Sequence, residues 1–253
     1  MPLSALVVGS MAPDFLYFAL LNDYAHFGHT FRGLFLFCLP VGLAALWLFH
    51  RYVKRPLLAL SPASLRVRVP AEDNFHFGPA SRFLWIVFAI LLGSVTHILW
   101  DGCTHLNGIV VKEFYQLRRY TTFWPHQPVY VLLQHASSII GLLILAAAYS
   151  AWVKRTSVSD AETIAPLPVR FRAILFVFCS AIAATFGSIF GYYSAQQFPH
   201  IWMEVFAVRA VIGSMAMGLA ELFIFCAWWH LRKHRAPELR KSSRAEIQPD
   251  SAD

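Results

Sequence analysis

The chain has 253 residues, of which 57% are hydrophobic and only 14% are charged, and its formal net charge is +7. Soluble globular proteins average about 25% charged residues. This composition excludes an ordinary soluble domain and indicates a protein that is embedded in a membrane.

Six apolar runs approach or exceed the roughly 17 to 25 residues that a transmembrane helix needs. We predict spans at 3–21, 34–49, 83–100, 129–153, 173–193 and 205–229. The first is the weakest because Pro13 and Asp14 interrupt it. It is not a typical signal peptide, since no basic residue precedes it and no clear small-residue cleavage site follows. The sequence therefore predicts an all-α fold, a polytopic bundle of five to six transmembrane helices.

The basic residues orient these spans. If successive spans alternate in direction, 16 of the 21 Lys and Arg residues fall on one side of the membrane and only four on the other. The positive-inside rule then places both termini in the cytoplasm. We expect a multi-pass protein of the bacterial inner membrane, with a cytoplasmic loop at 50–82 and an outer loop at 101–128.

The remaining organisation is simple. We predict one transmembrane domain over 1–229 and a basic, disordered cytoplasmic tail over 230–253, which lacks an apolar pattern. The topological bias accounts for the net charge, so the lipid bilayer is the expected partner and nucleic acid is not. Three of the four cysteines fall inside predicted spans, and Cys103 has no C-x-x-C partner. Neither a disulfide framework nor a zinc-thiolate site is expected.

The third predicted span and its outer end carry the most informative polar residues, His97, Asp101 and His105. His97 and Asp101 are four residues apart, so their side chains share one face of a helix. Ionisable groups in a membrane segment are costly unless they pair, face water or bind an ion. A metal site or a proton-handling site would explain them. Alternatively, His97 only hydrogen-bonds a neighbouring helix and Asp101 only ends its own.

Three more polar residues fall on the predicted outer side, Asp14, His26 and His29. Asp14 lies about 10 Å inside the end of the first span, at a rise of 1.5 Å per residue. A set of imidazoles and carboxylates suits Zn, Mn or Fe better than Ca or Mg. Alternatively, Asp14 is a first-turn acid favoured by the helix dipole, and the two histidines are polar turn residues.

Four stretches of the chain also carry a family resemblance: PLSALVVGSMAPDFLYF, HFGHTFRGLFLFCLPVGL, GSVTHILWDGCTH and LLQHASSIIGLL. They resemble a bacterial family of uncharacterised integral-membrane proteins, domain of unknown function family 4184. The similarity runs from about Pro2 to the region after Gly141, and more loosely to the last span. Family members usually begin with a further segment that bears a T-x-x-H histidine. We expect that candidate ligand to lie upstream of Met1 or to be missing from this member.

The family is similar in pattern, at a distance, to membrane-bound metal-dependent hydrolases and to zinc-dependent phospholipase C. This resemblance implies a hydrolase that acts on lipid or envelope phosphoesters with the help of a divalent metal. Our candidate metal ligands are Asp14, His26, His97 and Asp101, and our candidate catalytic residues are His29 and His105. The rival hypothesis is a non-enzymatic membrane transporter or assembly scaffold that uses the same residues for hydrogen bonds or ion passage.

Overall fold

The computed structural model of the chain describes residues 2–22, 26–70, 75–122, 126–158 and 164–247, with the side chains of the last range described as far as 232. The described residues are helical apart from turns, loops and one isolated antiparallel bridge between Tyr120 and Pro128. The α-helices are α1 (Leu3–Met11), α2 (Phe15–Leu20), α3 (Phe31–Gly33), α4 (Leu39–Leu48), α5 (Lys54–Leu60), α6 (Ala63–Arg66), α7 (Ala80–Thr104), α8 (Ile109–Glu113), α9 (Tyr115–Arg118), α10 (Val129–Arg155), α11 (Val169–Ala195) and α12 (Trp202–Ile247).

Tighter or wider helical turns connect some of these helices. Tight 3-10 turns occur at Ala12–Asp14, His26–His29 and Pro199–Ile201, and π-helical turns at Leu34–Cys38 and Phe49–Val53. The two π-helical turns join α3, α4 and α5 into one continuous helical stretch. The second membrane helix therefore extends well past the predicted end at position 49.

Six helical stretches among the described residues are long and apolar enough to cross a membrane: Leu3–Leu20, Phe31–Leu60, Ala80–Glu113, Val129–Arg155, Val169–Ala195 and Pro199–Arg232. The all-α transmembrane fold and its six spans are thereby confirmed. The first stretch is interrupted where the sequence suggests, because the 3-10 turn around Pro13 separates α1 from α2. The protein is a multi-pass α-helical membrane protein.

The chain divides into two compact units. The first consists of Met1–His50 and Ser61–Ile164, and the second of Arg51–Leu60 and Ala165–Asp253. In the second unit, α11 packs on α12 through small residues spaced four apart, Gly187, Gly191 and Ala195, which are buried. A Cβ on Gly191 would lie only 2.8 Å from the Phe206 carbonyl oxygen. This close approach is the usual way in which helices associate in a membrane.

His230 also contributes to the second unit. Its Nε2 atom lies 2.9 Å from the Tyr52 carbonyl oxygen, and the two rings stack at a centroid distance of 4.7 Å. The last helix continues beyond it as backbone to Ile247, and 248–253 lie outside the described residues. The predicted disorder of the tail stays a prediction.

The first unit has its core where α1, α4 and α7 meet. Ala5 of α1, Leu46 of α4, and Ile86, Ala89 and Ile90 of α7 are fully buried there. Small residues let α1 and α7 approach each other closely. A Cβ on Gly9 or on Gly93 would overlap the main chain of the opposite helix.

Candidate metal centre

The packing of α1 on α7 brings the first three polar residues of the site together. Ser94 of α7 donates a hydrogen bond of 2.9 Å to the Gly9 carbonyl of α1, which fixes the register of the two helices. Asp14 follows five residues after Gly9, and His97 and Asp101 follow three and seven residues after Ser94. Both helical segments therefore reach the same end of the unit with their polar side chains adjacent.

The 3-10 turn at His26–His29 supplies the fourth residue. Gly28 packs against Pro13 so closely that a Cβ at this position would overlap the Pro13 carbonyl oxygen. The Cys38 thiol donates a hydrogen bond of 3.2 Å to the Gly28 carbonyl. These two contacts hold the turn against the residue before Asp14, so the adjacent His29 faces the carboxylate.

Thr30 starts the second membrane helix directly after this turn. Its hydroxyl oxygen accepts a hydrogen bond of 2.9 Å from the Gly33 amide and donates one of 2.8 Å to the Phe27 carbonyl. A threonine in this position satisfies an amide that the helix start leaves without an intrahelical partner. The HFGHTFRG stretch therefore encodes both the turn and the helix that anchors it.

Four side chains converge at this end of the unit. His29 Nε2 lies 3.3 Å from Asp14 Oδ1 and 3.2 Å from Asp101 Oδ2. His97 Nε2 lies 3.4 Å from the same Asp14 oxygen and 3.1 Å from the same Asp101 oxygen. One nitrogen or oxygen from each residue lies within 4.8 Å of those of the other three. We call Asp14, His29, His97 and Asp101 the four-residue group.

The spacing of these atoms fits a divalent metal ion. Ligand atoms about 2.0–2.2 Å from an ion are roughly 3.3–3.6 Å apart in tetrahedral coordination and roughly 2.8–3.1 Å apart when adjacent in octahedral coordination. Two of the four N···O distances, 3.3 and 3.4 Å, fall in the tetrahedral range, 3.1 Å falls in the octahedral range and 3.2 Å lies between them. The four side chains are 16–32% exposed.

The histidine nitrogens supply a second indication. Nε2 of His29 and Nε2 of His97 are both buried, and the carboxylate oxygens 3.1–3.4 Å away do not form well-aligned hydrogen bonds with them. Buried polar atoms are usually hydrogen-bonded, so two nitrogens with poorly aligned partners are an exception that a bound ion would explain. Two such nitrogens beside two carboxylates are the donor set that Zn, Mn and Fe prefer.

The group can also exist as an ion-pair network without a metal. Burial alone would lower the pKa of His29, but the carboxylates of Asp101 and Asp14 outweigh it and raise that pKa above its ordinary value. A protonated His29 balances part of the negative charge. A metal ion must therefore displace a proton from this histidine.

His26 and His105, the two other site residues predicted from the sequence, lie next to the four-residue group and outside it. His105 Nδ1 lies 3.6 Å from Asp101 Oδ1, and its side chain is 53% exposed. His26 lies on the far side of Tyr17, whose hydroxyl is 3.4 Å from Nδ1 of both His26 and His29. The structure thus brings His29 to the carboxylates in place of His26.

Tyr17 is a site residue that the sequence analysis missed. Its ring stacks on the His29 ring, with centroids 5.5 Å apart and planes inclined by 18°. The Tyr17 hydroxyl also faces His29 Nδ1. A polar partner on the ring nitrogen that does not bind the metal orients the ring and fixes its tautomer. The spacing signal was present, because Tyr17 follows Asp14 by three residues and so shares its helical face.

A pocket of about 740 Å³ opens beside the four-residue group. Its polar lining residues are Asp14, Tyr17, His26, His29, Asp101, His105, Asn107 and Gln134. Its apolar lining residues include Ile98 of α7, and Leu106 and Ile109 from the segment that follows α7. A small polar group can enter the pocket and meet the imidazoles and carboxylates directly.

Comparison with known proteins gives a family and no further relatives. The profile of a family described as Domain of unknown function (DUF4184) matches residues 1–227. No curated protein and no solved structure matches the chain. The match covers every residue of the four-residue group and nearly all of the six spans. The chain belongs to the DUF4184 family of domains of unknown function.

Proposed function

We propose that Asp14, His29, His97 and Asp101 hold a divalent metal ion, and that the protein is a metal-dependent hydrolase of lipid or envelope phosphoesters. The site would face the extracytoplasmic side of the bacterial inner membrane. The observation that carries the proposal is the convergence of two carboxylates with two buried histidine nitrogens, which lie 3.1–3.4 Å from the carboxylate oxygens without well-aligned hydrogen bonds to them. The resemblance to membrane-bound metal-dependent hydrolases supports the reaction class.

The charges and the ligand count narrow the choice of ion. Two carboxylates and two neutral imidazoles neutralise a divalent ion, and this ligand chemistry favours Zn, Mn or Fe over Ca or Mg. Hydrolysis needs a coordination position that the protein leaves open. With four protein ligands, that position exists for an ion of five or six ligands, such as Mn or Fe, or for Zn with expanded coordination.

Such an ion would supply Lewis acidity, which lowers the pKa of water and polarises a phosphoryl oxygen. The protein residues then have separable tasks. The four-residue group binds, and Tyr17 orients His29. His105 lies beside Asp101 at the mouth of the pocket, where it is exposed enough to exchange a proton with a substrate or a leaving group. His29 is thus assigned to binding, and His105 keeps the acid–base role.

The test is metal analysis of the detergent-purified protein together with hydrolysis of a chromogenic phosphodiester. We expect about one ion per chain, bound by all four residues. Asp101→Asn keeps the shape but removes the anionic ligand, so it should abolish both bound metal and hydrolysis while the protein still inserts. Glu113→Gln makes the same chemical change at an exposed position of α8 and serves as the matched control.

Two results would contradict the proposal in different ways. A wild-type protein without stoichiometric metal would favour the transporter or scaffold hypothesis, in which the group is an ion-pair network. Stoichiometric metal without hydrolysis of any phosphoester would retain the metal centre and reject the reaction.

A further inference from the structure

We infer that the substrate of this site is a membrane phospholipid, whose phosphoester enters the pocket while its acyl chains lie on an apolar wall formed by Leu106 and Ile109. This inference rests on the proposed function and deepens it. It decides between the two substrate classes that the sequence leaves open, a lipid and a water-soluble envelope phosphoester.

The apolar wall adjoins the four-residue group directly. Gly108 packs so closely on Gly102 that a Cβ on Gly108 would overlap the main chain there, and Gly102 follows Asp101. Ile109 Cγ2 consequently lies 3.6 Å from the position that a Cβ on Gly102 would occupy. An apolar surface thus begins one residue away from a carboxylate of the proposed metal centre.

The side chains that form this surface are exposed. Leu106 is 58% exposed and Ile109 is 72% exposed, although both also line the pocket. The helix that carries Ile109 is held in place by Val111, which is fully buried. Large exposed apolar side chains beside a polar cavity are typical of a site for an amphiphilic ligand.

The wall belongs to the stretch Ala80–Glu113, which is long and apolar enough to cross a membrane. Ile98 lines the same pocket and lies in the membrane-spanning helix α7, where the next residue, Leu99, is 63% exposed. Directly after Glu113 in the chain, Phe114 and Tyr115 are 58% and 65% exposed. Aromatic side chains in this position are characteristic of the membrane–water interface.

Basic residues complete the match to a phospholipid. Lys112, Arg118 and Arg119 are exposed on the segment that carries the aromatic residues, and Arg118 lies over the Tyr115 ring at 5.9 Å. Cations interleaved with apolar and aromatic side chains bind anionic lipid surfaces. A water-soluble phosphoester would gain from the cations but would leave the apolar wall uncovered.

The experiment compares two probes on the metal-loaded full-length protein in detergent, short-chain phosphatidylglycerol and its deacylated form, glycerophosphoglycerol. Both are phosphodiesters with one negative charge, and they differ in the acyl chains. We expect phosphatidylglycerol to bind more tightly than the probe without acyl chains. In the variant Leu106→Gln/Ile109→Gln, the affinity for phosphatidylglycerol should fall about tenfold for each replaced residue. Ile139→Gln/Leu143→Gln, on the exposed surface of α10, is the matched control and should leave both affinities unchanged.

Metal content is measured for every variant, which separates a loss of lipid binding from a loss of the metal ion. Equal affinity for the two probes, or an unchanged preference for phosphatidylglycerol in the Leu106→Gln/Ile109→Gln variant, would overturn the lipid inference while metal remains bound. A wild-type protein that binds no metal would instead reject the proposed function, and the lipid inference with it.

Discussion

At the scale of single residues, the proposed metal centre depends on which of two neighbouring histidines faces the carboxylates. His26 and His29 are three residues apart on a 3-10 turn, where such side chains project in similar directions. Only His29 reaches the carboxylates, because the contact of Gly28 with Pro13 rotates the turn towards Asp14. The two histidines therefore allow a direct test of the ligand assignment.

We predict that His29→Ala abolishes bound metal and that His26→Ala retains it, as measured by elemental analysis of the purified variants. His29 supplies a ligand nitrogen, whereas His26 contacts the site only through Tyr17. His135→Ala, an exposed histidine of α10, controls for the general effect of removing an imidazole. Loss of metal from the His26 variant and not from the His29 variant would reverse the assignment.

Tyr17 gives a finer prediction at the same scale. Tyr17→Phe keeps the ring that stacks on His29 and removes the hydroxyl that faces His29 Nδ1. The loss of such an outer partner weakens metal binding by about 10- to 100-fold. Competition with a chelator measures this change, and Tyr115→Phe at an exposed position is the control. An unchanged metal affinity would show that stacking alone orients His29.

At the scale of helices, the site depends on how closely α1 approaches α7. Gly93→Leu would drive a side chain into the main chain of α1 near Leu6, and overpacking of this kind costs about 1–3 kcal/mol or more. We predict that this variant both lowers the thermal midpoint and loses metal, because Asp14 moves away from His97. A Cβ on Gly141 of α10 would meet no atom within 4 Å, so Gly141→Leu should change neither property.

A Gly93→Leu protein that is destabilised but still binds one metal ion per chain would contradict this account. Asp14 would then be held by its own turn rather than by the packing of the two helices.

Much of the fold could be predicted from the sequence because hydropathy alone identifies spans of the required length. The break in the first span was also predictable, since Pro13 lacks an amide hydrogen. The extent of the second membrane helix was not. His50, Arg51, Lys54 and Arg55 end the apolar run, yet the helix continues through a π-helical turn to Leu60.

The site was predictable in part for a similar reason. The spacing of His97 and Asp101 places them on one face of a helix, and this spacing can be read directly from the sequence. The partnership with Asp14 depends on glycines 9 and 93, which set the register between helices far apart in the chain. The choice of His29 over His26 depends on the contact of Gly28 with Pro13. Such contacts between distant segments leave no periodic signal in the sequence.

At the scale of the whole molecule, the four-residue group lies entirely within the first compact unit. It is the only group of potential metal ligands among the residues that the structure describes. The second unit supplies two of the six spans and packs by its own small-residue contacts. The proposed metal centre therefore depends on the residues of the first unit alone.

The distribution of basic residues predicts the orientation of the protein in the membrane, and with it the compartment that the site faces. Alternation of the six spans places 16 Lys and Arg residues on one side and four on the other, which predicts cytoplasmic termini. Reporter fusions after residue 119 and after residue 235 should then report opposite sides, with the first outside. The segment before residue 119 adjoins His105 and the pocket, so this fusion also reports the side on which the site opens. Both fusions on one side would contradict the six-span topology. The reverse orientation would open the site to the cytoplasm, where a phospholipid of the outer leaflet of the inner membrane could not reach it.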